Sequence, residues 1–191
     1  DIQNHIDMLH IVNTAITETD INNKRVTRFL PATMDVQKYL VIAGGFISSR
    51  IRKEAFHDID VFVLADSDGN EQRFIIDLLT WMKPGTWTVR YNGTEDYFHN
   101  ENIVMTASNK DTRVQYILTR YKTRQELVAH FDYVHCMASY TPGDNARLYI
   151  SKETYDASSK KHLVPNITDV KQWRVEKFIK EGWKSPEVLI H

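Results

Sequence analysis

Apolar residues recur along this chain with two different periods. Ile2, Ile6, Leu9, Val12 and Ile16 fall three and four apart, which predicts an amphipathic helix over residues 2–17. Residues 22–37 follow no period and contain the breaker Pro31. The middle of the chain alternates short apolar runs with helical stretches. Tyr39-Leu40-Val41-Ile42-Ala43 reads as a buried strand, 46–54 as a helix, 59–64 as a second strand and 71–81 as a helix closed by Pro84-Gly85. Beyond that the period shortens. Residues 86–91, 102–107 and 113–119 read as strands, the last two as a hairpin around 108–111. A short helix over 123–130, a long strand over 131–140, a turn at 141–145 and a strand over 147–150 follow. Ser151 and Thr168 are N-cap candidates for helices over 152–158 and 169–180, and Gly182 is the stop of the second.

These elements predict an α+β (α/β-like) fold, a mixed β-sheet flanked by helices. Residues 1–38 form an N-terminal helical arm, 39–141 the core, and 142–191 a C-terminal helical extension packed on the core. At 191 residues, with 42% apolar positions, the chain can bury one sizeable core. The net charge of −1 argues against a broad basic footprint for nucleic acid but leaves a local patch open. No apolar run approaches the ~20 residues of a membrane span. The first residues have neither the basic nor the apolar region of a signal peptide. A single cysteine, Cys136, fits a reducing compartment, so a cytoplasmic location is expected, or a virion-associated one if the gene is carried by a phage. His130, His135 and Cys136 lack the paired spacing of a zinc site.

The chemistry gathers around two short motifs. Gly44-Gly45 joins the first strand to a helix. Glycine lets the backbone come close to a ligand there, and the first helical N–H groups face an anion such as phosphate. Ser48 and Ser49 lie one turn on, followed by Arg50. A plain tight turn has the same sequence. Asp58-Ile59-Asp60 opens the second strand, and residues two apart in a strand project to one side. Paired carboxylates repel and suit a hard cation such as Mg²⁺, which takes one or two carboxylates together with substrate phosphates. A solvated pair at a strand end is the plain alternative.

Taken together, the run Val41-Ile42-Ala43-Gly44-Gly45-Phe46-Ile47-Ser48 and then His57-Asp58-Ile59-Asp60-Val61-Phe62-Val63 resembles the motif of the nucleotidyltransferase superfamily, the DNA polymerase beta-like fold. The strict match covers about 25 residues, and strand order extends it over 39–140. The stretch 114–136 also resembles uncharacterised members of that superfamily, some encoded by tailed phages. The resemblance implies transfer of an NMP from an NTP to an acceptor hydroxyl, with release of pyrophosphate and two Mg²⁺ ions, or Mn²⁺, at the site. Asp58 and Asp60 would bind metal. A third carboxylate is implied on a later strand, with Asp132 the expected residue and Gln115 the runner-up. Gly44, Gly45, Ser48, Ser49 and Arg50 would bind the nucleotide. The acceptor is open among an RNA end, a small molecule and a protein. The rival reading is a non-catalytic binding or structural module, for example a component of a phage particle or larger assembly.

Overall fold

The computed structural model describes residues 39–56, 58–65, 87–91, 101–109, 114–141 and 147–185. Seven strands form one mixed sheet: β1 (Leu40–Ala43), β2 (Ile59–Val63), β3 (Trp87–Tyr91), β4 (Ile103–Asn109), β5 (Val114–Thr119), β6 (Ser139–Thr141) and β7 (Arg147–Tyr149). Their spatial order is β3-β4-β5-β2-β1-β6-β7. Among the described strands only β2 and β5 run parallel, and the other pairs are antiparallel. The helices are α1 (Gly45–Ile51), α2 (Arg124–Ala129), α3 (Lys152–Lys160) and α4 (Gln172–Lys180), with a 3₁₀ turn at Val134–Cys136. The expected mixed sheet with flanking helices is therefore what the chain forms.

The two faces of the sheet follow from the alternation of side chains along each strand. Ile42, Ile59, Val61, Val63, Met105, Tyr116, Leu118 and Tyr140 pack on one face with Phe46 and Ile47 of α1. Val41, Ala43, Phe62, Leu64 and Ile117 pack on the other with Leu127 of α2. Asp60 alternates with Ile59 and Val61, so it belongs to the second face. Both faces are covered at β1 and β2, which explains why their sequences read as continuous apolar runs.

Helix ends follow local chemistry. At the end of α1, Lys53 takes φ 58°, while Glu54 N donates to Ser49 O and Lys53 N to Arg50 O. The same paired bonds close α3 at Lys161 and α4 at Gly182. Thr123 caps α2 and Ser151 caps α3 through their side chains. Helix α4 starts at Gln172 rather than 169, with Lys171 as its cap residue.

One expected element is corrected. Residues 131–140 are not a strand: a 3₁₀ turn occupies Val134–Cys136, and only Ser139–Thr141 pair as β6. Almost every side chain from 133 to 138 is buried, so the run lacks a polar face to reveal its period. The turn sends Tyr133 and Cys136 into one cluster with Leu163, Phe178 and Trp183, which anchors α4. The expected elements at 2–17, 22–37, 66–70 and 71–81 lie outside the described residues.

Candidate active site

The end of β1 and the start of β2 meet in register. Ala43 pairs with Asp60, and Gly44 follows at once. Gly44 has φ 85° and ψ −148°, a region that residues with a Cβ rarely enter. A Cβ placed there would lie 3.6 Å from Asp60 Oδ2. The turn thus sets the Gly44 backbone beside the Asp60 carboxylate. Gly45, the first residue of α1, is exposed, and a Cβ there would meet nothing within 4 Å. The glycine turn and the acidic strand therefore share one corner of the sheet.

Asp58 is exposed just before β2, and Asp60 is half-buried within it. Burial first, and then the charge of Asp58, push the Asp60 carboxyl up to about 6. Lys177 and Arg174 of α4 pull the other way. A cation between the carboxylates would relieve both the desolvation and the repulsion, so the pair fits a divalent metal. Among the described residues no group of three His, Cys, Asp or Glu side chains is placed to hold one.

The expected third carboxylate is engaged elsewhere. Asp132 Oδ2 accepts from Arg174 Nε at 2.7 Å, and Oδ1 accepts from Nη2 at 3.2 Å. This two-pronged pair ties the loop after α2 to α4, and Asp132 does not join Asp58 and Asp60. The neighbour of Asp60 across the parallel ladder is Gln115, half-buried and uncharged, and Ser108 stands beyond it on β4.

The helix side chains expected to meet substrate divide in the same way. Ser48 is fully buried, accepts from Arg52 Nη1 at 2.6 Å and donates to Ser158 Oγ at 3.2 Å. It joins α1 to α3. Arg50 Nη2 donates to Glu54 O at 2.6 Å, and its guanidinium lies 4.8 Å from the Phe56 ring. Ser49, half-buried, accepts the amide of Glu54 through its carbonyl. Arg50 and Ser49 thus serve the C-terminal end of α1, while Gly44 and Gly45 alone stand at the acidic corner.

The basic residues that act on Asp60 are Lys177 and Arg174, and the sequence offered no distinctive sign of them. Two cations three apart on a helix look the same as a solvated face. A second buried group shares their field. His135 is fully buried, stacked 4.0 Å from Trp183 and edge-on to Phe178 at 4.7 Å. Burial, together with Arg174, drives its pKa down to about 3, so the ring is neutral. Burial pushes the Cys136 thiol up to about 12, which leaves it unreactive.

The fold is that of the nucleotidyltransferase superfamily, to which the CCA-adding enzymes it resembles belong. A CCA-adding enzyme in its apo form II superposes with a TM-score of 0.50 at 15% identity, over 89% of this chain and 44% of that one. The Thermotoga maritima CCA-adding enzyme complexed with tRNA gives 0.45 at 16% identity, over 76% of this chain and 35% of that one. A CCA-adding enzyme in complex with ATP gives 0.46 at 9% identity, over 67% and 29%. The chain therefore spans less than half the length of these structures, and the likeness is one of fold. No curated protein matches the sequence. The family model of Gad2, the Gabija anti-defense 2 family protein, matches residues 20–161. The chain belongs to that family. No helix among the described residues is long and apolar enough to cross a membrane.

Proposed function

We propose that this chain is a metal-dependent nucleotidyltransferase whose activity serves an anti-Gabija role. The observation that carries the reading is the corner that Gly44 and Asp60 share: a turn at φ 85° beside a carboxyl that burial raises, with the exposed Asp58 two residues before it. In the proposed reaction the acceptor hydroxyl oxygen bonds to the α-phosphorus of an NTP. The bond from that phosphorus to the β-phosphate oxygen breaks, pyrophosphate leaves, and the hydroxyl proton passes to solvent. A divalent cation held by Asp58 and Asp60, Mg²⁺ or Mn²⁺, would supply charge stabilisation for the attacking and leaving oxygens. The chain's own part is to position and to neutralise. Gly44 and Gly45 admit the phosphates at close range. Gln115 offers a neutral oxygen beside Asp60. Lys177, exposed on α4 and near enough for its charge to act on Asp60, would help to neutralise the leaving pyrophosphate.

A second reading is favoured by one observation. Gln115 holds the place beside Asp60, and Asp132 is paired with Arg174. A site with two carboxylates could bind a metal–nucleotide complex without turning it over.

Thermal melts with Mg²⁺ and each NTP, combined with a pyrophosphate release assay, test both readings. A raised melting temperature that Asp58→Asn and Asp60→Asn abolish, together with pyrophosphate release, is the expected result. A raised melting temperature without release leaves the binding module. No nucleotide-dependent shift removes both.

A further inference from the structure

Helix α4 is docked beside the strand that carries Asp60. Phe62 lies two residues after Asp60, on the same side of β2. Its ring is 5.4 Å from that of Phe131. The next residue, Asp132, accepts from Arg174 of α4 at 2.7 Å. The Arg174 guanidinium in turn lies 5.6 Å from the ring of Trp173. Two other aromatic rings, Phe178 on α4 and Trp183 just after it, are buried, whereas Trp173 is 43% exposed.

The order of side chains around α4 gives Trp173 a direction. Starting from the buried Phe178, the next to project are Arg174, Lys177 and Trp173, at steps of about 40°, 60° and 40°. Lys177 and Arg174 both act on Asp60, Lys177 the more strongly. The acidic corner therefore lies towards the Lys177 side of the helix. Trp173 stands one turn from Lys177 on that side, with roughly 5–6 Å between their Cβ atoms. Lys177 is exposed, and among the described residues no carboxylate forms an ion pair with it.

A single exposed aromatic ring carries no meaning by itself. Here the ring is one turn from a lysine that reaches the acidic pair. A nucleotide has the matching groups, a flat base at one end and phosphates at the other. Tryptophan stacks on a base, and an ammonium group neutralises phosphate. One ring and one lysine span a single nucleotide, and the net charge of −1 supplies no general attraction for a longer strand.

We propose that Trp173 is the base platform of the nucleotide site, its ring stacked on the base of an NTP whose phosphates reach Lys177 and the acidic corner. This assignment deepens the transfer reading above and rests on it for the ligand. Every base has a π-face, so the platform accepts any of the four nucleotides.

The test is isothermal titration calorimetry of the full chain with Mg²⁺-ATP and with Mg²⁺-tripolyphosphate, which has the phosphates but no base. Wild type binds ATP about tenfold more tightly than tripolyphosphate. Trp173→Leu weakens ATP binding about tenfold, as expected for the loss of one stacked base, and leaves tripolyphosphate binding unchanged. Trp173→Phe keeps most of the ATP affinity. Lys177→Gln weakens both ligands. Should Trp173→Leu fail to fold, Trp173→Gln removes the ring in its place. Wild type that does not bind ATP, or binds it no more tightly than tripolyphosphate, overturns the proposal. So does Trp173→Leu that binds ATP as wild type does, or that loses both ligands equally. A loss seen with a short single-stranded oligonucleotide and not with ATP also overturns it, since Trp173 would then serve the acceptor. Pyrophosphate release separates this assignment from the transfer reading. Release at the wild-type KM in Trp173→Leu removes the platform and leaves the transfer. ATP affinity that depends on Trp173, without release, removes the transfer and leaves the platform.

Discussion

Gln115 stands directly across the parallel ladder from Asp60, on the same face and without charge. A carboxylate in its place would complete a three-acid corner. Gln115→Glu changes one atom and little volume. In the metal-free protein it adds a third repelling charge beside the half-buried Asp60 and the exposed Asp58. We expect a lower melting temperature, by a few degrees for about 1 kcal/mol in a chain of this size. Added Mg²⁺ should restore more stability in this variant than in wild type, and pyrophosphate release should rise. Melts across a Mg²⁺ titration check this. Equal Mg²⁺ responses in the two proteins would mean that position 115 does not face the ion.

The two glycines separate fold from function. Gly44 holds φ 85° and ψ −148°, so Gly44→Ala strains the backbone and should cost about 1–3 kcal/mol. Gly45 has open space where a Cβ would go, and it begins a helix. Gly45→Ala should leave stability unchanged or raise it by about 0.5 kcal/mol. If phosphates approach the turn closely, the same change weakens NTP binding by about tenfold, since the methyl group occupies that approach. Denaturation curves and nucleotide titrations of both variants give the comparison. A Gly45→Ala protein that binds NTP as wild type does would remove the turn from the binding site.

Much of this corner was legible before any coordinates. β1 and β2 are buried on both faces and announce themselves as apolar, β-branched runs. The Gly44-Gly45 turn and the Asp58-Asp60 spacing follow from local rules that need only a few residues. What failed was non-local. The partner of Asp60 on β5 depends on which strands lie side by side, and no period in the sequence encodes that. Gln115 was therefore no more than an alternative to Asp132. The run 131–138 misled because burial on all sides erases the distinction between a strand and a tight turn. Ser48 misled through its position one turn into the helix, whereas its hydroxyl is buried against Ser158. Lys177 was invisible because its significance lies in where α4 docks.

The Asp132–Arg174 pair is a structural joint, and its removal should show as such. The two side chains are 19% and 23% exposed, and two hydrogen bonds close the pair. Arg174→Ala leaves Asp132 partly desolvated and uncompensated, with an expected cost of roughly 2–3 kcal/mol, below the figure for a fully buried pair. Asp132→Asn keeps one hydrogen bond and should cost less. Arg174→Ala also removes one of the two positive charges that act on Asp60, whereas Asp132→Asn leaves both in place. Asp132→Asn should therefore retain the Mg²⁺-NTP stabilisation seen in wild type. Its disappearance in a folded Asp132→Asn protein would return Asp132 to the metal site.

His135 makes stability depend on pH with a defined sign. The folded-state pKa is about 3, below the ordinary 6.5, because burial among Trp183, Phe178 and Tyr133 disfavours the charged ring. Between those two values the unfolded chain binds a proton that the folded chain does not. Stability from this group is therefore fully present above about pH 6.5 and falls as the pH drops towards 3, by up to a factor of ten in the folding equilibrium per pH unit. Asp60 acts in the opposite direction. Its carboxyl is raised to about 6, so the folded chain takes up the extra proton between about 6 and 3.8 and gains stability as the pH falls. The two effects largely cancel between pH 4 and 6 in wild type. His135→Phe removes one of them and keeps an aromatic ring in the cluster. It also removes two buried ring nitrogens that have no hydrogen-bond partner among the described residues. The variant should match or exceed wild-type stability at pH 7. Below pH 6.5 its advantage should widen, and its own stability should rise on mild acidification as Asp60 protonates. Urea denaturation from pH 4 to 7.5 measures both curves. A constant difference between the two proteins across that range would show that His135 titrates normally and is not held neutral by its burial.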